Sequence, residues 1–433
     1  MAYFLEVGYF LEVVKKRGWR NVEEYRFPEG FLWGAATAAH QVEGNNINSE
    51  TWVLEHLPGM IYVEPSGDAC DHYHRYREDI ALLAKLGFNA YRFSIEWARI
   101  EPEEGEFSYA ELEHYRRMLA ACHEHGLKPV VTYHHFASPR WLHRYGGWLD
   151  EKTPERFARY AECVTNHLGD LIGAVCTMNE PNLPVLLGTM LPFKMQEQPW
   201  WSAAAQALGT TPERLGLFQF VATPQAREVE LAAHRRAFEA IKMVNSSIPV
   251  GLTLAMLDIQ ALAGGEARAT ELQYAMNDVY LEQLSSDDFV GVQTYSRMLV
   301  GPDGVVHPGE DVEKTQSGEE FYPEAIGGTI RHASQVAGIP VMVTENGVAT
   351  TDDTRRVEYF RRALPCVAQC IREGINVPGY FCWSAMDNFE WVSGYGPKFG
   401  IIAVDRATQQ RTPRPSAYWL GSVAHANKIS PGG

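Results

Sequence analysis

The sequence predicts an α/β fold, a single (β/α)8 TIM barrel with enlarged loops at the mouth that carries reactive groups. Three observations carry that prediction. Eight short segments between residues 31 and 385 are nearly continuous in apolar residues rather than alternating, as strands buried on both faces are. Amphipathic segments of helical period lie between them, and the clearest ones close on a glycine. Neither GxGxxG nor GxxxxGK(S/T) occurs in the chain, so the main rival, a doubly wound sheet, lacks its phosphate-binding turn.

The elements follow in order. YFLEV occurs at Tyr3–Val7 and again at Tyr9–Val13, a repeat too short for a solenoid. Residues 1–25 are therefore read as a peripheral N-terminal arm and residues 26–433 as the barrel domain. Glu6 and Glu12 interrupt the arm's apolar stretch and no basic region precedes it, so it does not read as a signal peptide. The strands are FLWGAAT (31–37), NAYRFSI (89–95), KPVVTYH (128–134), GAVCTMN (173–179), PVGLTLAM (249–256), DFVGVQTY (288–295), PVMVTEN (340–346) and GYFCWSA (379–385). YREDIALLAKLG, AELEHYRRMLAACHEHG and ERFARYAECVTNHLG are the helical patterns after the first three. Leu183–Gly216, after strand four, contains Pro and Trp and is weakly periodic; it reads as a long loop with at most short helices. Gly301–Tyr322, after strand six, also reads as a loop, and its charge run 309–320 as a solvated one.

Composition excludes several functions. Hydrophobic residues at 45% and charged residues at 21% describe an ordinary globular chain and exclude wholesale disorder. Asp and Glu outnumber Lys and Arg by 54 to 38, a formal charge of −16 that repels nucleic acid, anionic membrane and polyanionic substrates. No run approaches 18 apolar residues, so no span of a membrane is expected. Seven scattered cysteines suggest neither a disulfide framework nor a four-cysteine zinc site, and Cys366 and Cys370 read as helix packing. Asp71 and His74 can share a helix face but lack an evident third partner, and His123 and His125 do not share a face, so no metal is assigned. The expectation is a cytoplasmic enzyme without cofactor, with a homo-oligomer left open.

In a barrel, chemistry belongs at the C-terminal ends of the strands. There the chain places His40, Gln41 and Glu43 after strand one, Arg92 in strand two, and Tyr133, His134 and His135 at the end of strand three. Asn179 and Glu180 end strand four, Gln293 and Tyr295 strand six, and Glu345 and Asn346 strand seven. Trp383 lies in strand eight, followed by Glu390 and Trp391. Two carboxylates on separate strands, ringed by Trp, Tyr, His, Asn and Gln, suit a neutral polyol. Sugars stack their apolar faces on indoles, and glycoside cleavage needs two carboxyl groups across the scissile bond. Trp148, Trp200, Trp201, Trp383 and Trp391 are the indoles expected near such a carbohydrate path.

These residues carry a resemblance. TMNEP (177–181) and VTENG (343–347) resemble the two glutamate motifs of glycoside hydrolase family 1, the β-glucosidase family. FPEGFLWGAATAAHQVEG (27–44), YRFSIEWARIEP (91–102), YGGWLDEKT (145–153) and DNFEWVSGYGPKFGIIAVD (387–405) resemble it as well. The resemblance implies a (β/α)8 barrel that hydrolyses terminal non-reducing β-glycosides with retention, through a covalent glycosyl-enzyme. It implies Glu180 as acid/base, Glu345 as nucleophile, Arg92 and Tyr295 as its holders, and Asn179 on the sugar 2-OH. Gln41, His134, Glu390 and Trp391 would complete the sugar pocket over Trp383. Retention requires carboxyls roughly 5–5.5 Å apart. Glu390 implies a free 6-OH rather than a 6-phosphate, and Lys398 alone does not make a phosphate site.

Some positions depart from the pattern. Where the family usually reads His-Trp-Asp-Leu-Pro, this chain has His134, His135, Phe136, Ala137, Ser138 and Pro139, so His135 is expected in place of a sugar-contacting Trp. An imidazole there would widen the pocket and add a titrating group. Gln293 lengthens an amide that is usually Asn. The loop after Pro181 lacks the usual glycine-tyrosine and proline-glycine pattern, which leaves the leaving-group preference open. β-Glucosidase activity with side activity on galactosides or fucosides is the leading expectation. A transglycosylase sharing the first half-reaction and a non-catalytic carbohydrate-binding barrel are the alternatives.

Overall fold

The structure, a computed structural model, describes residues 24–190 and 194–430. The arm proposed for residues 1–25 lies outside the described residues except for its last two. Tyr25 is already part of the domain, since it pairs with Ile429 in a short antiparallel ribbon.

Eight strands close a parallel barrel in chain order: β1 (Leu32–Thr37), β2 (Ala90–Ser94), β3 (Lys128–His134), β4 (Ala174–Asn179), β5 (Val250–Ala255), β6 (Phe289–Thr294), β7 (Val341–Asn346) and β8 (Gly379–Trp383). β6 pairs with β7 and β8 with β1, so no edge is left open. A helix follows each strand: α1 (His72–Leu86), α2 (Tyr109–Glu124), α3 (Thr153–Leu168), α4 (Pro224–Val244), α5 (Glu266–Gln273), α6 (Ala325–Ala337), α7 (Asp353–Arg372) and α8 (Pro415–Ala426). All eight predicted strand segments are observed.

The continuous apolar runs have a direct cause. Alternate residues such as Ala36, Ala90, Val130, Phe289 and Phe381 fill the barrel interior, while Val131, Val175, Val290 and Val343 face the helices. The interior is packed by size matching. A Cβ on Gly34 would stand 2.3 Å from the Phe381 ring, so the bulky residue of β8 occupies the space that β1 leaves. Gly87, at φ +110, ends α1 in the left-handed region and lies against the Gly421 carbonyl, where a Cβ would come within 2.6 Å. Gly169 ends α3 differently. Its φ of −61 is right-handed, and it is small because a Cβ would meet the Thr165 carbonyl at 2.5 Å.

The loop after β4 contains helices Leu183–Met190 and Pro199–Ala207, and the second buries Trp200 and Trp201 in a separate apolar cluster. The segment after β6 holds more order than expected. Arg297–Gly301 and Gly304–Val306 form a hairpin, extended by Asp258–Ala261 into a three-stranded sheet. Pro302-Asp303-Gly304 makes its turn, with Gly304 at φ +123. Cys366 and Cys370 lie on α7, and all seven cysteines are unpaired. His72 serves the scaffold: its Nδ1 is 2.8 Å from Asp79, which Arg411 also holds at 2.8 and 3.0 Å. His74 pairs with Asp71, and His123 with the Leu171 carbonyl.

Candidate active site

The C-terminal mouth holds a cavity of about 350 Å³ lined by both glutamates, Asn179, Tyr295, Gln41, Trp383, Glu390, Trp391 and His135. Glu345 is 4% exposed at the end of β7. Arg92 Nη1, from β2, donates to Glu345 Oε1 at 2.6 Å, and Tyr295 Oη donates to Oε2 at 2.5 Å. Each carboxylate oxygen therefore has its own donor, which fixes the plane of the group.

Arg92 also orients a second residue. Its Nη2 donates to Asn179 Oδ1 at 2.5 Å, Gln293 Nε2 donates to the same oxygen at 2.8 Å, and Thr253 Oγ1 at 3.3 Å. Three donors on one atom leave the Asn179 Nδ2 buried and unpartnered, free to donate into the cavity. The longer amide of Gln293 spans that distance without loss of the contact. Gln41 is fixed similarly. Its Nε2 donates to Asn388 Oδ1 and the Phe389 carbonyl, both at 2.8 Å, which leaves Oε1 free.

Three cavity residues other than glycine hold a left-handed backbone: Glu180 at φ 50, Phe136 at φ 66 and Trp391 at φ 52. Such residues cost about 1–2 kcal/mol each and persist where the surroundings fix them. Each lies just past a strand or at a turn in the mouth, where the strain re-aims a side chain into the cavity.

The two adjacent histidines are separated. β3 ends at His134, whose ring turns outward between Trp148 and Phe218, with centroids 4.8 and 4.6 Å away. Its Nε2 lies 2.9 Å from Ser138 Oγ, and His134 does not line the cavity. Both histidines were expected in the sugar pocket; the cavity wall includes His135 and not His134. Phe136, the residue after His135, also lines the cavity. Trp148 is likewise a scaffold residue; it is fully buried and its Nε1 donates to Ser138 Oγ at 3.0 Å.

The residue pattern matches known proteins over nearly the whole chain. The profile of Glycosyl hydrolase family 1 matches residues 23–291 and 303–429. The chain belongs to glycosyl hydrolase family 1. Beta-glucosidase A of Thermotoga maritima is 31% identical over 93% of this chain and 99% of its own length. Beta-glucosidase of an Agrobacterium strain is 32% identical over 93% of this chain and 96% of its own. Among solved structures, beta-glycosidase BGL167 is 60% identical with a TM-score of 0.90, covering 92% of this chain and 97% of its own.

In this family 1 chain the two glutamates sit in different fields. Burial pushes the Glu180 carboxyl well above the usual range, and the Glu345 charge adds to that push, with Arg92 opposing. Burial also raises Glu345, but Arg92 and the Tyr295 hydrogen bond act against it. The two fields differ in kind: Arg92 and Tyr295 favour the ionised form of Glu345, whereas a neighbouring carboxylate disfavours that of Glu180. Burial, and then the charge of Glu345, lift Glu390 to about 8. His135 moves the other way: burial first, then Arg92 and His134, hold it well below its ordinary value. A buried imidazole beside a guanidinium favours its neutral form, which runs against the titrating group expected from the sequence.

Several lining residues had no signal in the sequence. Gln219 and Phe220 come from the irregular stretch before α4, and Met256 and Leu257 follow β5. Glu319 belongs to the charge run read as a solvated loop, yet it reaches the cavity wall. No helix among the described residues is long and apolar enough to cross a membrane. Lys398 donates its Nζ to the Tyr395 carbonyl at 2.7 Å.

Proposed function

We infer that this family 1 enzyme is a retaining β-glycosidase that releases the terminal non-reducing β-D-glucosyl residue, with β-galactosides or β-fucosides as lesser substrates. One observation carries the reading: Glu345 is clamped by Arg92 and Tyr295 in a cavity that Glu180 also lines. The clamp aims an ionised carboxylate, and the neutral Glu180 supplies a proton.

The reaction follows from those states. A glucoside places its ring on Trp383, with hydroxyls accepted by the free oxygens of Gln41 and Glu390. Glu345 attacks the anomeric carbon while Glu180 protonates the departing oxygen. Glu180 is left as a carboxylate; its burial still disfavours that charge, but Glu345 is now a neutral ester and its repulsion is gone. The Glu180 carboxylate takes a proton from water as that water attacks the anomeric carbon; the ester bond breaks, Glu345 leaves as a carboxylate and Glu180 is again protonated. The free Nδ2 of Asn179 meets the sugar 2-OH, a contact that strengthens in the transition state. A non-catalytic sugar-binding barrel would have no use for this division of protonation states.

His135 takes the rim role, through a buried and unpartnered Nδ1. Seven unpaired cysteines support a reducing, cytoplasmic location. The test is mass spectrometry after reaction with a 2-deoxy-2-fluoro-β-glucoside. A stable adduct on the peptide carrying Glu345 is expected; an active enzyme labelled elsewhere rejects the assignment.

A further inference from the structure

Glu180 takes its left-handed backbone, φ 50, directly after β4 ends at Asn179. That conformation is unfavourable for a residue other than glycine and persists only where the surroundings impose it. The sheet holds its first end. Glu180 N–H donates to the Thr253 carbonyl of β5 at 2.9 Å, just past the last register pair of the two strands, Asn179 with Thr253. The next residue cannot extend that ladder, because Pro181 has no N–H.

A side chain resumes it. Ala255 N–H donates to Asn182 Oδ1 at 3.0 Å, and Asn182 Nδ2 donates to the Ala255 carbonyl at 2.7 Å. The amide thus pairs with both polar groups of Ala255, as the backbone of a neighbouring strand would. Nδ2 also donates to the Met276 carbonyl at 3.0 Å, in the π-helical turn Tyr274–Asp278 after α5. An amide offers one acceptor and two donors in a plane; a carboxylate has no donor and a hydroxyl only one. Leu183 N–H donates back to the Glu180 carbonyl at 3.0 Å and closes the turn. The stretch from Glu180 to Asn182 is therefore pinned to β5 at both ends. Asn182 is fully buried and does not line the catalytic cavity, so it acts on the chemistry only through Glu180.

Resting on the reading of Glu180 as acid/base, we propose that Asn182 is its positioning residue: the buried amide locks the turn after β4 and so keeps the Glu180 carboxyl at the departing oxygen. The consequence is selective. A displaced acid penalises substrates that need an early proton and spares those whose leaving group departs unaided. A displaced base slows hydrolysis of the glycosyl-enzyme, and azide, which needs no base, bypasses that step.

The test compares Asn182→Ala, the isosteric Asn182→Asp and Glu180→Ala with the parent enzyme on phenyl and 2,4-dinitrophenyl β-glucoside. Each Asn182 variant should lower kcat/KM on the phenyl glucoside by about 30-fold or more, and on the dinitrophenyl glucoside by less than about threefold. On the dinitrophenyl glucoside kcat and KM should fall together as glycosyl-enzyme accumulates, and azide should raise kcat again. An equal loss on both substrates, or a loss of thermal stability without that split, makes Asn182 a scaffold residue and overturns the proposal. The split in Glu180→Ala without one in the Asn182 variants rejects the role of Asn182 alone. Equal losses in Glu180→Ala would instead reject the acid/base assignment, and the proposal with it.

Discussion

Arg92 and Glu345 are 253 positions apart in the chain, yet Arg92 Nη1 lies 2.6 Å from Glu345 Oε1. The same guanidinium holds Asn179 with its other nitrogen. One buried cation thus fixes both the carboxylate proposed to attack the anomeric carbon and the amide proposed to meet the 2-OH. Only a planar fork does this, since a lysine ammonium is a single point. Arg92→Lys should lower kcat on 4-nitrophenyl β-glucoside by about 100-fold or more, with a smaller change in KM. Steady-state kinetics with circular dichroism to confirm folding would decide it; an unchanged kcat rejects the shared-clamp account.

Glu345→Ala should lower turnover by several orders of magnitude, and azide should rescue it as the inverted glycosyl azide. Glu180→Ala should spare activated aryl glycosides while crippling those with poor leaving groups, because only the latter need an early proton. Azide added to that variant should give a glycosyl azide of retained configuration. Equal losses on all leaving groups without rescue would remove Glu180 from the acid/base role.

The pH profile of kcat/KM should have two limbs set by the glutamates. Glu345 must be ionised, so activity falls as pH drops through its value, which burial has raised above the usual carboxylate range. Glu180 must be protonated, so activity falls as pH rises through its value, which burial and the Glu345 charge have raised further. His135 should add no limb near pH 6.5, because it is held neutral. A profile that loses a limb in His135→Asn would contradict this.

Discrimination against a 6-phosphate should grow with pH. Glu390 is protonated below about 8, and ionises above it. An ionised Glu390 facing a phosphate costs about 3 kcal/mol, roughly 100-fold in rate. The ratio of kcat/KM for an aryl β-glucoside over its 6-phospho form should therefore rise between pH 6 and pH 9. A preference for the phosphorylated substrate would refute the pocket assignment.

The adjacent histidines should separate cleanly by mutation. His135→Ala should cut kcat/KM on glucosides by about tenfold or more with little change in unfolding free energy. His134→Ala empties a site packed between Trp148 and Phe218, and should cost about 2–4 kcal/mol in urea unfolding. The reverse pattern would restore His134 as the sugar contact.

The sequence by itself determined the barrel and the pair of glutamates. Strands buried on both faces must be apolar at every position, so Leu32–Thr37 through Gly379–Trp383 are visible without knowing their partners. Glu180 and Glu345 were legible because each ends such a strand, and strand ends converge in a barrel. Tertiary structure alone decided which of His134 and His135 faces the cavity. Period-two alternation fails at the end of β3, where Phe136 takes a left-handed backbone, and no local pattern announces that turn. It alone decided the direction in which these groups are shifted as well. The field at Glu180, Glu390 and His135 comes from burial and from charges brought together from distant strands. Glu230 reads as one more acidic residue on an amphipathic helix until the fold leaves its carboxyl buried and without a partner.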